Sequence, residues 1–213
     1  MATRRVILEA AARVFAENGY DKARIADILR EANVTKGALY FHFTDKQALA
    51  DTLLTEHVQE IRVEPDAVKL RELMTAGYTL VDRLQTDVVQ RAAARLTLEQ
   101  GANQLDRAQP MLMWTEYVEE LLTVAHDRGE LLPTMASTTA RRDVAEMIVG
   151  SFAGIELMSD AFSAGRGPSP LQHWLTVFFQ TVIPTLAHPP IIPLLGLASA
   201  ESHAKIVQSS SAA

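Results

Sequence analysis

The chain has 213 residues, 48% of them hydrophobic and 22% charged, enough apolar material for a substantial core and too much for wholesale disorder. With no cysteine it has no disulfide framework, cysteine–zinc site or thiol nucleophile. The formal charge of −6 is unevenly spread: residues 1–46 hold eight Lys/Arg against six Asp/Glu, and the remainder twelve against twenty. A mildly basic head on an acidic body fits a nucleic-acid reader with a separate regulatory part.

No stretch qualifies as a membrane span. The most apolar run, Val182 to Leu197, is interrupted by Pro184, Pro189, Pro190 and Pro193 and carries His188. The N-terminus lacks a secretory core, because Glu9 and Arg13 cut through its apolar residues. The expectation is a soluble, cytoplasmic protein with no membrane partner.

In chain order, Val6, Ile7, Ala10, Ala11, Val14 and Phe15 make an apolar helical stripe, stopped by Asn18-Gly19. A short helix runs from about Arg24 to Ala32 and turns at Asn33-Val34. Thr35 caps a third helix from Lys36 to about Phe41, and Thr44 or Asp45 opens a long one through Leu49, Leu53, His57 and Ile61. Pro65 ends it. Further helices are expected over Ala67–Gln85, Asp87–Gln100, Pro110–Arg128, Thr138–Ala164 and Pro170–Leu186, with a weaker one over Leu195–Gln208. The tail from Ser209 reads as disordered. No alternating strand pattern of useful length exists, so the fold class is all-α.

Catalysis finds no support. The six histidines, at 42, 57, 126, 173, 188 and 203, include no i, i+4 pair for a helical metal site. No glycine loop cradles phosphate, and Gly150-Ser-Phe-Ala-Gly154 is a mid-helix segment unlike a nucleophile elbow. No enzyme activity, metal or cofactor is expected.

Two short helices joined by a turn and backed by a longer one form a helix-turn-helix, whose last helix must enter the major groove. Val34-Thr-Lys-Gly-Ala-Leu-Tyr-Phe-His-Phe43 meets that need. Thr35 and Lys36 stand at its entry, and Gly37 and Ala38 are small enough for close approach. Tyr40 and His42 offer hydrogen bonds to phosphate, while Leu39, Phe41 and Phe43 are expected to pack inward.

This segment, with Lys46 and Leu49 after it and Ile7-Leu-Glu-Ala-Ala-Ala12, Phe15, Gly19-Tyr20 and Ile25-Ala-Asp-Ile28 before it, resembles the DNA-binding signature of the TetR family. The resemblance implies a TetR-type head over residues 1–46 and a ligand-binding and dimerisation body over 47–208, with 209–213 as a tail. It assigns DNA contacts to Arg24, Thr35, Lys36, Gly37, Ala38, Tyr40, His42 and Lys46. Arg24 departs from the pattern, standing where a threonine commonly caps the second helix. Its guanidinium can reach a phosphate instead. The family's basic arm ahead of Thr3-Arg4 has little counterpart here, so no arm contact is assigned.

Further on, Asp87-Val-Val-Gln-Arg-Ala92, Arg95-Leu96, the Trp114 segment, Gly129-Glu-Leu-Leu-Pro133 and Gly150-Ser-Phe-Ala-Gly154 resemble the γ-butyrolactone autoregulator receptors of actinomycetes. These are repressors that small lactones or butenolides release from DNA. By its residues alone Trp114 fits a plain core tryptophan; the resemblance implies that it lines the effector cavity. His57 fits a satisfied core histidine or an effector contact, and Ile148 and Phe152 are candidate cavity walls. Two stripes, Val144, Ile148, Ser151, Ile155, Met158, Phe162 and Leu171, Trp174, Leu175, Phe178, Val182, Thr185, fit either their own core or a four-helix interface between two subunits; the resemblance favours the homodimer. A dimer would read a pseudo-palindromic operator on double-stranded DNA. The alternative within regulators is a pseudo-receptor or drug-sensing repressor answering to antibiotics or their intermediates.

Overall fold

The computed structural model describes residues 2–59, 63–99, 105–106, 108–163 and 170–197. Among them are nine α-helices and no strand: α1 (Ala2–Lys22), α2 (Ile25–Ala32), α3 (Lys36–His42), α4 (Lys46–Gln59), α5 (Lys69–Thr86), α6 (Val88–Leu98), α7 (Ala108–Asp127), α8 (Thr138–Ser163) and α9 (Leu171–Leu186). Short 3₁₀ turns cover Pro133–Met135 and Pro189–Leu195. The weaker helix expected from Leu195 therefore begins as the end of a 3₁₀ turn closed by Gly196, and its remainder lies outside the described residues, as does the tail. The chain divides into two compact units, residues 1–60 with 82–112, and 61–81 with 113–213.

In the first unit α1 packs on α6, α2 and α4. Its core holds Ile7, Ala11, Phe15, Ile28, Leu39, Leu49, Leu53 and Leu96, all without solvent exposure. Ala10, Ala11 and Ala12 are buried, so α1 presents a low surface that neighbouring helices can approach closely. Val6, grouped with this stripe in the sequence, is 41% exposed instead; it lies one position off the Ile7–Ala11–Phe15 line, where the helix has turned outward.

Local chemistry sets the helix ends. Asn33 at φ 51° closes α2 in the left-handed region, with the N–H of Val34 donating to the Leu29 carbonyl. The Thr35 hydroxyl accepts from the Ala38 N–H at 3.2 Å. Asp45, rather than Thr44, caps α4 through the Ala48 N–H at 2.8 Å, and Asp87 caps α6 through Val89 at 2.8 Å. Arg24 stands at the start of α2 and makes no side-chain cap. The stop expected at Gly19 is a kink: at φ 71°, ψ 178° the glycine interrupts α1, and helical structure continues to Lys22.

In the second unit, Gly129 at φ 73° ends α7. Buried Glu130 follows, and its carboxylate accepts the Lys69 and Leu70 N–H groups at 2.8 and 3.0 Å, satisfying the start of α5. The Glu130 carbonyl takes the His188 N–H at 2.7 Å, and the Leu132 N–H donates to Leu186 at 2.8 Å. The segment Gly129–Pro133 is thus a clasp joining the head of α5 to the end of α9. Gly77 lets the Phe179 ring seat on α5, since a Cβ there would lie 2.9 Å from the ring.

Arg141 is buried and donates to the Met135 and Ala136 carbonyls and to Thr123; Arg142 pairs with Glu119 at 3.0 Å. These ties join the second half of α7 to the start of α8. The two expected stripes on α8 and α9 each divide. Ala145, Ile148 and Ser159 on α8, and Leu171, Leu175, Phe179 and Ile183 on α9, face inward. Met147, Leu157, Met158 and Val177 are 46–57% exposed. Phe162 lies outside the described side chains. Both helices carry apolar residues on more than one face, so spacing alone merged a core line with an outward one.

Candidate nucleic-acid interface and effector site

Leu39 is fully buried and fixes which way α3 faces. At 100° per residue, Gly37 and Phe41 fall on the side opposite it, with Tyr40 and Ala38 on the flanks. Nothing lies within 4 Å of a Cβ placed at Gly37, so the backbone is open there. Thr35, Lys36, Gly37 and Tyr40 are exposed, and Ala38 and His42 are half-buried. The Thr35 oxygen is used by the cap, which leaves its O–H free to donate outward. The Lys36 ammonium lies 5.7 Å from the Tyr40 ring centroid, a cation–π contact that holds both along one flank. Phe43 is buried as expected, but Phe41 is 84% exposed, correcting its inward assignment.

The surface therefore offers hydroxyl, ammonium, phenol and imidazole groups around an open glycine. That set can donate to phosphate and to base edges. Residues 7–53 match the sequence pattern of the bacterial regulatory proteins of the tetR family. Over 190 residues, 89% of this chain, identity to the A-factor receptor protein of Streptomyces griseus is 35%, and the alignment spans 66% of that protein's length. TylP, a TetR regulator from Streptomyces fradiae, superposes with a TM-score of 0.84 at 35% identity, covering 98% of this chain and 97% of that one. The chain belongs to the TetR family. An ArpA-like γ-butyrolactone receptor shares the fold, with a TM-score of 0.72 at 22% identity over 98% of this chain and 97% of that one. This TetR-family chain is a transcriptional regulator rather than an enzyme.

Around the TetR head the other assigned residues differ in their surroundings. Arg24 is exposed. Lys46 is half-buried and already committed: its ammonium donates to the Tyr20 and Ala23 carbonyls at 2.8 and 3.2 Å and lies 4.2 Å from the Tyr20 ring centroid. It holds the α1–α2 turn, with one N–H left over. Burial raises the Tyr20 pKa, helped by the carboxylates of Asp51, Asp45 and Asp21. Asp51 is likewise raised by burial and by Asp45 and Asp106.

Sequence reasoning missed three residues of this unit. Arg4 places its guanidinium 5.2 Å from the Phe43 ring centroid, beside the end of α3. Arg95 donates to the Ala16 carbonyl at 2.7 Å, and Glu99 accepts the Tyr20 N–H at 2.7 Å. The last two act across more than 75 positions, beyond any local pattern, and the Arg4–Phe43 contact arises only where α1 meets α3. An open cleft of about 610 Å³ beside α1 is walled by Arg5, Glu9, Arg13, Asp82, Arg83 and Asp87. Its three cations and three anions balance, so it selects no ion of either sign.

Of the assigned effector residues, Trp114 is half-buried on α7 with its ring edge-on to Tyr117 at 5.9 Å. Ile148 is buried and Phe152 half-buried on α8. His57 falls on α4, and its side chain lies outside those described.

Proposed function

We propose that this protein is a homodimeric repressor, acting in the cytoplasm, whose operator is released when a γ-butyrolactone or butenolide-type signal binds. Residues 1–46 hold the pseudo-palindromic operator, and 47–208 hold effector and partner. The observation that carries the reading is α3: Leu39 anchors one side and the opposite side is an open glycine flanked by donors. Thr35, Lys36 and Gly37 read base edges; Ala38 allows close approach; Arg24, Tyr40, His42 and the remaining Lys46 proton contact phosphates. Two heads one helical turn apart, roughly 34–36 Å, match two half-sites.

The partner is a second copy, favoured by the outward Met147, Leu157, Met158 and Val177 on two long helices. The effector class is favoured by 35% identity to a protein named as the A-factor receptor. Trp114, Ile148 and Phe152, all in the second unit, are its proposed walls. Effector and operator prefer different conformations and so oppose each other reciprocally.

The test is a gel shift on duplexes from the flank of the protein's own gene, with and without γ-butyrolactones, butenolides and antibiotics. Lactone-dependent release supports the reading, and release by antibiotics alone replaces the effector class. Absence of any sequence-selective binding refutes it. Trp114→Ala should bind DNA normally and respond weakly to the lactone, and Lys36→Ala should weaken operator binding without changing dimerisation.

A further inference from the structure

Phe41 is 84% exposed, more than any other large apolar side chain among the described residues. It follows Gly37 by four positions, so the two share the outward face of α3, one turn apart. Gly37 contributes no side chain and open space, which leaves the phenyl ring as the bulkiest group on that face. Its neighbour His42 meets it edge-on, with centroids 5.0 Å apart, and covers little of it. Tyr40, on the flank, is 42% exposed.

A phenyl ring has neither donor nor acceptor. Almost every group on the major-groove edges of the bases is polar: the N7 and O6 of guanine, the N7 and amino group of adenine, the amino group of cytosine. Seating a ring on these would strip water from them and return no hydrogen bond, which is costly. Thymine alone presents an apolar group there, its C5-methyl.

We propose that Phe41 is a specificity-determining residue whose ring meets a thymine C5-methyl in each half-site. This rests on the reading of α3 as the groove-entering helix. Tyr40 and His42 position the helix through phosphates; Phe41 selects thymine by contact and disfavours other bases by desolvation.

The test starts from a pool of randomised 30-base-pair duplexes, selected separately by full-length wild type and Phe41→Ala. Wild type should enrich a pseudo-palindrome with thymine at one symmetric position, where Phe41→Ala no longer discriminates. Replacing that thymine by deoxyuridine removes only the methyl group. It should weaken wild type about fourfold per half-site, the worth of one buried methyl group, and leave Phe41→Ala unchanged. Phe41→Leu should keep part of the preference.

Phe41→Ala retaining the thymine preference would overturn the proposal. So would an equal loss on both duplexes, which would mean that the ring packs on deoxyribose. Either result leaves the operator reading intact, whereas failure of wild type to enrich any sequence sinks both. Equal melting temperatures for wild type and Phe41→Ala, expected for so exposed a side chain, show that the fold is not the cause.

Discussion

Gly19→Ala should destabilise the protein by about 3 kcal/mol, through two separable effects. The first is backbone strain. At φ 71°, ψ 178° the residue occupies a region open essentially to glycine, and a non-glycine side chain there costs on the order of 1–3 kcal/mol. The second is displacement of Glu99. An alanine Cβ would stand 2.3 Å from Glu99 Oε1 and 2.8 Å from its carboxyl carbon, so the carboxylate must move. The movement itself is cheap for a flexible side chain, but it forfeits the 2.7 Å bond from the Tyr20 N–H. A hydrogen bond to a charged group is worth about 1.5–3 kcal/mol, reduced here because Glu99 is only half-buried. At a fixed protein concentration, about 3 kcal/mol lowers Tm by roughly 6–12 °C in a chain of this size. Glu99→Ala alone should cost about 1 kcal/mol. The double variant should fall short of the sum of the two singles, because with Glu99 gone only the strain remains. Strict additivity, or a Gly19→Ala variant within about 0.5 kcal/mol of wild type, would refute the account.

Glu130→Ala leaves the Lys69 and Leu70 N–H groups without their buried acceptor; a loss of about 2–4 kcal/mol is expected from urea midpoints, with Glu130→Gln milder. Asp51→Asn should raise Tm at pH 7. Burial, with Asp45 and Asp106, lifts the Asp51 pKa above its unfolded value, so the fold disfavours its carboxylate. The wild type therefore gains on acidification through that pKa, and the gap between the two proteins should close between pH 7 and pH 4; a constant gap would refute the assignment. Leu157→Glu, which charges an outward position 57% exposed on α8, should shift the protein to monomer in light scattering while preserving its helical circular dichroism.

Helix ends were the most legible part of the fold, because a cap needs only residues within one turn of each other. Thr35, Asp87, Asn33 and Gly129 each act where their chemistry places them. Phase within short or doubly apolar helices was harder. Leu39 and Phe41 lie 200° apart, so both cannot face one core, yet two turns of helix hold too few apolar residues to show which one does. On α8 the apolar residues exceed one face, and which line is the core depends on the helices beside it. The ties made by Glu130, Arg95 and Glu99 join residues 60 or more positions apart. No spacing rule reaches that far. The exposure of Thr35, Lys36, Gly37 and Tyr40 on α3 was readable because these residues are nearly consecutive.

The same long-range ties give the regulatory reading a physical route within the first unit. Helix α6 packs on α1 and α4. Its Arg95 holds the Ala16 carbonyl near the end of α1, and Glu99, just past its own end, holds the Tyr20 N–H directly after the Gly19 kink. From α4, Lys46 holds the Tyr20 and Ala23 carbonyls on the far side of that residue. The α1–α2 turn is thus gripped by charged groups from two helices. A displacement of α6 must either carry the turn with it or break at least one charge-assisted hydrogen bond. Exposed or half-buried, each such bond is worth about 1 kcal/mol, so breaking two of them covers the roughly 1.4 kcal/mol that a tenfold change in operator affinity requires. Taken together, two such bonds are enough to transmit a regulatory signal. The grip is also weak enough that an effector with a modest preference for one state could shift the balance. The kinked glycine that costs the fold its backbone freedom is what brings the Tyr20 N–H within reach of that grip.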